Sequence, residues 1–449
     1  MKDAKLLTEG DVNFSAARKD WYDHQDEPAR RLLSRDGELF VHQSLSTPCL
    51  DVLETCEGIW LTDISGKRYM DFHGNNVHQV GHRNKFVIDR VKAQLDTLPF
   101  SPRRYTNQPA IDFAAKLTGL LPAGLNRVLF APGGTSAVSM AIKLARVVTG
   151  KQKMVSFADS FHGASLDAIT AGGEDQFRKY MGALYPETIH IDQPNGDPFA
   201  DDASADELER IIREDGGIAA FIGETIRNTD VQIPSAAFWQ RVREICTRHG
   251  VLLILDEIPI AFGRTGRMFA FEHYGIVPDI LCLGKGLGAG IIPIAAMVTR
   301  DEYNVAADVS LGHFTHEKSP LGSVAAMVMI EYIQREGLLE KVQREEAWVR
   351  EELLKLKERH ILIGDIRGIG FLWAMELLRP ATGEKAIVEA ERVLYGCLSE
   401  GLSFKVSQGN VLQLSPPLTI TREEWTAAIR IIDAVLTDNS TRVVPVVKY

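Results

Sequence analysis

Lys285 stands in the run Asp279-Ile-Leu-Cys-Leu-Gly-Lys285-Gly-Leu-Gly-Ala-Gly290, where a strand-like apolar stretch delivers one lysine into a glycine-rich turn. A lysine that forms a Schiff base needs this setting: a desolvated mouth that lowers its pKa, and glycines that let a flat ring approach the backbone. Alone, the run also fits an ordinary lysine leaving a strand. Upstream, Asp256 closes Gly250-Val-Leu-Leu-Ile-Leu-Asp256, an apolar run without alternation. Such a run reads as a strand buried on both faces of a parallel sheet, and ligands of open α/β sheets gather at the carboxyl ends of these strands. An acid placed there serves as a metal ligand, a hydroxyl binder or the counter-ion of a protonated heterocycle. The last role joins it to the lysine, because pyridoxal 5'-phosphate takes a lysine on its aldehyde carbon and an acid on its ring nitrogen.

Two further elements fit that cofactor. Val128-Leu-Phe-Ala-Pro-Gly-Gly134-Thr135-Ser136 reads as a strand and tight turn, followed by helical apolar spacing at Val138, Ala141, Ile142 and Ala145. The free N–H groups and dipole of that helix start make an anion site, and no Gly-Lys-Ser/Thr follows to make it a P-loop. Ser160-Phe161-His162-Gly163, after the strand-like Lys153–Phe157, places an aromatic where it can lie on a planar ring. Each element alone also fits plain core or a plain helix cap. Their order along the chain is the specific signal.

On these motifs the chain resembles the class III, fold-type I, pyridoxal-phosphate aminotransferase family over nearly its whole length. The resemblance implies phosphate contacts at Gly134 and Thr135, ring stacking at Phe161-His162, and an acid at Asp256 within Asp256-Glu257-Ile-Pro-Ile-Ala-Phe262-Gly-Arg264-Thr-Gly266. It makes Lys285 the cofactor lysine and Glu224 an acid near the substrate side. It also implies that Thr315, followed by Pro320, reaches a neighbouring subunit's cofactor phosphate in a homodimer or dimer of dimers. The implied fold is α/β, a mostly parallel central sheet flanked by helices, with a smaller α+β domain from the N- and C-terminal segments.

Composition agrees with such an enzyme. The chain has 449 residues, 45% hydrophobic and 24% charged, enough for a large core in more than one domain. A formal charge of −10 argues against nucleic-acid or anionic-membrane partners; the resemblance implies a small-molecule amine substrate. Five scattered cysteines without metal-ligand spacing, together with a Met1–Gly10 stretch lacking a secretory core, read as a cytoplasmic protein with no structural metal. Cys282, near Lys285, reads as core filler.

Three regions are expected: an N-terminal arm and part of a small domain (1–69), with a hairpin signal at Ser65-Gly66; a large cofactor-binding domain of alternating strands and helices (70–318); and a small C-terminal domain (319–449). In the last, a long helical pattern runs from Ser319 to His360. Arg367–Glu376 and Val411–Leu414 read as strands, and Thr421-Arg-Glu-Glu424 as a capping box.

Departures from the family pattern bear on substrate. Many relatives that handle amino acids carry a carboxylate-binding arginine before Pro-Pro-Leu; here Gln413 precedes Pro416-Pro417-Leu418, and an amide cannot replace a guanidinium fork. Pro259, Ala261, His316, Glu317 and Lys318 also stand where the family has small residues. Arg103 and Arg104 are candidates for an anionic group, and His73, Asn75, Asn76 and His78 for further polar contacts. The resemblance is to family members that eliminate rather than transaminate. It implies an ammonia-lyase acting on a small primary amine bearing a phosphonate, hydroxy-aminoethylphosphonate above all. A class III omega-aminotransferase is the alternative, followed by a phosphoethanolamine-type phospholyase or a non-catalytic cofactor-fold module.

Overall fold

The computed structural model describes residues 13, 15–44, 46–47, 49–184 and 187–441. Met1–Gly10, read above for a secretory core, lies outside them. A seven-stranded sheet forms the centre, in the spatial order Leu125–Ala131, Ala295–Arg300, Ile280–Leu283, Leu252–Asp256, Ile218–Glu224, Lys153–Phe157, Thr188–Ile191. Ala295–Arg300 runs antiparallel to both neighbours, and every other pairing is parallel. This is the mostly parallel sheet expected.

The continuous apolar runs follow from burial on both faces. In Ile218–Glu224 and Leu252–Asp256 every residue is buried. Ala220, Ile222, Leu252 and Ile254 pack in one cluster with Val138, Ala141 and Ala145 of the helix Gly134–Thr149. Phe221, Leu253 and Leu255 pack in the other, with Trp239 and Val242 of the helix Ala236–His249. That second helix stops where expected, at Gly250 in the left-handed region with φ 61°.

Two smaller four-stranded sheets flank the centre. In one, the meander Leu53–Glu57, Trp60–Asp63 and Arg68–Asp71 takes Leu402–Ser403 from far along the chain as a parallel edge strand. Its turn at Ser65-Gly66 is held by Asp63 Oδ1, which accepts the N–H groups of Ser65 and Lys67 at 2.9 Å each. The other sheet is antiparallel, in the order Ile363–Ile369, Leu372–Leu377, Val411–Leu414, Lys405–Ser407. Phe72, Phe371 and Trp425 stack edge-on between them, with Trp425 ring centroids 5.0 Å from Phe72 and 5.8 Å from Phe371.

One helix expected from the sequence is two. Pro320–Arg335 and Leu338–Arg359 are separated at Gly337, whose φ of 59° turns the chain out of the right-handed helix. The capping box at the last helix forms as read: Thr421 N–H donates to Glu424 Oε2 at 2.9 Å and Glu424 N–H to Thr421 Oγ1 at 3.1 Å. Among the described residues no helix is long and apolar enough to cross a membrane.

Candidate active site

Three neighbouring parallel strands end in register. Glu224 is paired with Asp256, and Asp256 with Cys282, so two carboxylates sit side by side at the carboxyl edge of the sheet. Just beyond Cys282 the chain turns at Lys285, which has φ 44° and opens the short 3-10 turn Lys285–Gly288. A left-handed lysine is a strained one, and such strain persists where surrounding structure enforces it. Gly286 is part of that enforcement, since an added Cβ would lie 2.0 Å from Gln79 Oε1. Burial lowers the Lys285 pKa, the charges of Asp256 and Glu224 act to raise it, and that of Lys405 lowers it further.

Asp256 is 2% exposed, with one partner on each oxygen: Oδ2 lies 2.8 Å from His162 Nδ1, and Oδ1 accepts the Ile258 N–H at 3.0 Å. Glu224 is equally sealed, accepting the N–H of Phe161 at 3.3 Å and of Asn228 at 3.1 Å. Its pKa is raised, by burial first and by Asp256 beside it, against the opposing influence of His162 and Arg227. The other charges of the acid-bearing motif support the fold. Glu257 accepts from the N–H groups of Ala270 and Phe271 and from Thr225 Oγ1, and Arg264 donates to the carbonyls of Phe371 and Pro416.

The helix Gly134–Thr149 starts at Gly133 with no side-chain cap, leaving its first N–H groups free to receive an anion. Gly163, at φ 127°, lets the Phe161-His162-Gly163 segment lie against this start; a Cβ there would fall 2.3 Å from Thr135 Oγ1. Phe161 is half-buried, its ring centroid 4.6 Å from that of Phe177. A partly desolvated lysine, a buried carboxylate oriented by a histidine, and an uncapped helix start are the donor set that an aldehyde, a ring nitrogen and a phosphate require, so these residues fit pyridoxal phosphate.

Other candidates lie around this core. His73 is half-buried, and its pKa is pushed down to about 3 by burial and by Lys405, with Asp71 opposing and Lys285 contributing. Gln413 donates from Nε2 to the carbonyl oxygen of Asn228 at 2.8 Å and to its Oδ1 at 3.1 Å, and Asn76 Nδ2 reaches the same Oδ1 at 3.2 Å. Both are thereby tied to the loop that follows Glu224. Arg103, Arg104 and Thr315 stand apart: among the described residues no hydrogen bond or ion pair links them to Lys285, Asp256 or Glu224. Arg104 and Thr315 are exposed. Their segments do meet, through Asn107 Nδ2 to the Lys318 carbonyl at 3.0 Å and Phe100 against His316, ring centroids 5.1 Å apart. Asp71, His78 and His82 bring potential ligand atoms within 4.8 Å of one another. Hydrogen bonds already occupy Asp71: Oδ1 takes the N–H groups of His73 and Gly74, and Oδ2 takes His82 Nε2 at 2.8 Å.

Sequence reasoning passed over Lys405 and Glu174. Both act electrostatically on this site: Lys405 feels Glu174, Arg227 and Glu224. The one signal available for Lys405 was a lone charge between Phe404 and Val406 in a short strand.

Residues 42–436 match the model of the aminotransferase class-III family, and the chain belongs to that family. It is 52% identical, over 96% of its own length and 95% of the relative's, to the (R)-1-hydroxy-2-aminoethylphosphonate ammonia-lyase of Vibrio splendidus (strain 12B01). It is 32% identical, over 87% of its length and 92% of the relative's, to the leucine/methionine racemase of Thermococcus litoralis. Among solved structures, the taurine:2-oxoglutarate aminotransferase of Bifidobacterium kashiwanohense, in complex with PLP and glutamate, superposes with a TM-score of 0.87 at 25% identity, covering 94% of this chain and 100% of that one. A lyase, a racemase and an aminotransferase thus share one scaffold, so the scaffold alone does not select the reaction.

Proposed function

We propose that this protein is a pyridoxal-phosphate-dependent ammonia-lyase that converts (R)-1-hydroxy-2-aminoethylphosphonate to phosphonoacetaldehyde and ammonia. The observation that carries this reading is the 52% identity, over almost the whole chain, to a relative named for that reaction. The site agrees with it: at the position where the family resemblance implies a carboxylate-binding arginine stands Gln413, an amide already committed to Asn228.

Lys285 would hold the cofactor through its aldehyde, Asp256 would serve its ring nitrogen, Gly134 and Thr135 would receive its phosphate, and Phe161-His162 would flank the ring. When bound, the cofactor supplies an electron sink for the pair left when a proton departs from the amine-bearing carbon. Asp256 would hold a proton on the ring nitrogen, and His162, 2.8 Å from Asp256 Oδ2, holds that carboxylate in one orientation. The Nζ of Lys285, its pKa lowered by burial, is available as the neutral base that removes the carbon proton. Glu224 fixes the backbone of Phe161 and Asn228 on either side. Loss of the neighbouring hydroxyl with a proton as water, followed by hydrolysis of the released enamine, gives aldehyde and ammonia without net water and without an acceptor.

The exposed Thr315 fits a homodimer in which it reaches the neighbouring subunit's cofactor phosphate, and the substrate class fits a cytoplasmic enzyme. The deciding assay offers the holoenzyme hydroxy-aminoethylphosphonate, phosphoethanolamine and a plain ω-amine in turn, with and without pyruvate, measuring ammonia, phosphate and aldehyde. Ammonia from the first substrate without pyruvate is expected. Strict dependence on pyruvate would instead assign an aminotransferase, and phosphate release from phosphoethanolamine a phospholyase.

A further inference from the structure

We propose that Lys405, on the edge strand Lys405–Ser407, is the cation that receives the substrate's phosphonate and so determines specificity. The inference rests on the lyase reading and deepens it. Lys405 pairs directly with Gln413 in the antiparallel ladder, so their two side chains leave the same face of the small sheet. Gln413 shows where that face points: its amide bonds Asn228, whose N–H bonds Glu224 at the carboxyl edge of the central sheet. A cation one strand away from Gln413 can therefore do from Lys405 what an arginine would do from position 413.

The charges around Lys405 favour this use. Arg227, the neighbouring cation, is spoken for, lying 2.8 Å from Asp159 and from Asp230 and 3.8 Å from Glu174. Lys405 is half-buried, and among the described residues its ammonium makes no hydrogen bond or ion pair. Burial lowers its pKa against the pull of Glu174 and Glu224, as for a charge partly stripped of water and not yet matched. Glu174 is pushed up to about 7 by burial and by Glu224, with Arg227 and Lys405 acting against the rise. His73 feels the charge of both Lys405 and Lys285. In this proposal the substrate's amine end takes the Lys285 side of the site and its phosphonate, two carbons away, the Lys405 side.

The test uses cofactor-loaded Lys405→Met, Lys405→Gln and Lys405→Arg, each checked for a wild-type circular dichroism spectrum. Three probes are applied: 2-hydroxyethylphosphonate, which has the anion and no amine to react, by calorimetric Kd; hydroxy-aminoethylphosphonate by KM and kcat; and 1-amino-2-propanol, which has amine and hydroxyl but no anion, by inhibition constant. Loss of a charge-assisted contact predicts about 10- to 100-fold weaker binding of 2-hydroxyethylphosphonate to the Met and Gln variants. The substrate KM should rise in parallel while kcat moves little, the 1-amino-2-propanol constant should stay put, and Lys405→Arg should recover most of the loss. Wild-type Kd for 2-hydroxyethylphosphonate in both neutral variants, or equal loss for the charged and uncharged probes, would overturn the assignment. If the wild-type protein releases no ammonia from hydroxy-aminoethylphosphonate, the lyase reading falls, and the 2-hydroxyethylphosphonate Kd still decides Lys405.

Discussion

His162 Nδ1 lies 2.8 Å from Asp256 Oδ2, and both side chains are sealed from water at the end of the central sheet. A buried carboxylate with a fixed partner keeps one orientation, which a ring nitrogen arriving opposite Lys285 requires. Asp256→Asn keeps the shape and removes the charge, and is expected to lower kcat by at least about 100-fold at saturating cofactor. His162→Ala removes the orienting hydrogen bond together with the buried ring and its contact to Ser156 Oγ at 3.5 Å, and should cost about tenfold. Steady-state rates of the two variants check the order; a His162→Ala defect as deep as that of Asp256→Asn would mean that the histidine does more than orient.

Lys285 is expected to be essential twice over, as the cofactor's attachment point and as the base. Lys285→Ala should abolish turnover. Lys285→Arg should do the same, because a guanidinium stays protonated and cannot accept the carbon proton. Borohydride reduction of the wild-type holoenzyme followed by peptide mass spectrometry should find the cofactor on Lys285. Since burial lowers this lysine's pKa and the neutral amine is the active form, kcat should rise with pH and level off below the ordinary lysine value of about 10.4. An inflection at or above that value would contradict the desolvated base.

How much of this site could be read from the chain depends on what local pattern encodes. Asp256 and Lys285 were legible because an apolar strand that ends in a charged residue violates its own pattern, and such violations mark the carboxyl edge of a parallel sheet. The sheet itself followed from the same continuous runs. Lys405, Glu174 and Asn228 were not legible: each sits in an ordinary short strand or loop, and only the register that sets Lys405 against Gln413 and the fold that docks Gln413 on Asn228 bring them to Glu224. The break at Gly337 was missed for a related reason. Helical spacing continues on both sides of it, and one left-handed residue redirects the chain without disturbing either pattern.

A pH effect on stability should come from His78. Burial pushes it down to about 4, with Asp71 pulling the other way and Arg264 and His82 adding to the decrease. The unfolded chain binds a proton on this ring near pH 6.5 and the folded chain does not until about 4, so the unfolded state gains protons across that window. The histidine's contribution to stability is therefore complete above pH 6.5 and falls as pH drops towards 4. Relative to His78→Gln, the wild-type protein should lose about 1–3 kcal/mol between pH 7 and pH 4.5, measured by urea midpoints at matched ionic strength. Parallel profiles for the two proteins would mean that the folded ring takes up its proton as readily as the unfolded one.

Gln413 is where amine transfer to an acceptor should be recoverable. Its amide reaches Asn228 and brings no charge, whereas an arginine there would present a planar fork to a 2-oxo acid carboxylate. Gln413→Arg is expected to gain pyruvate-dependent alanine formation from an ω-amine donor. It should also lose lyase activity, because the bond to Asn228 is broken and a second cation is placed across the ladder from Lys405. Gln413→Ala separates these effects: it breaks the same bond without adding charge, so its lyase rate should fall by about tenfold and no alanine should appear. Alanine formation read alongside ammonia release, with and without pyruvate, distinguishes the outcomes. If Gln413→Arg uses pyruvate no better than the wild-type protein, acceptor binding in this scaffold is controlled from somewhere other than position 413.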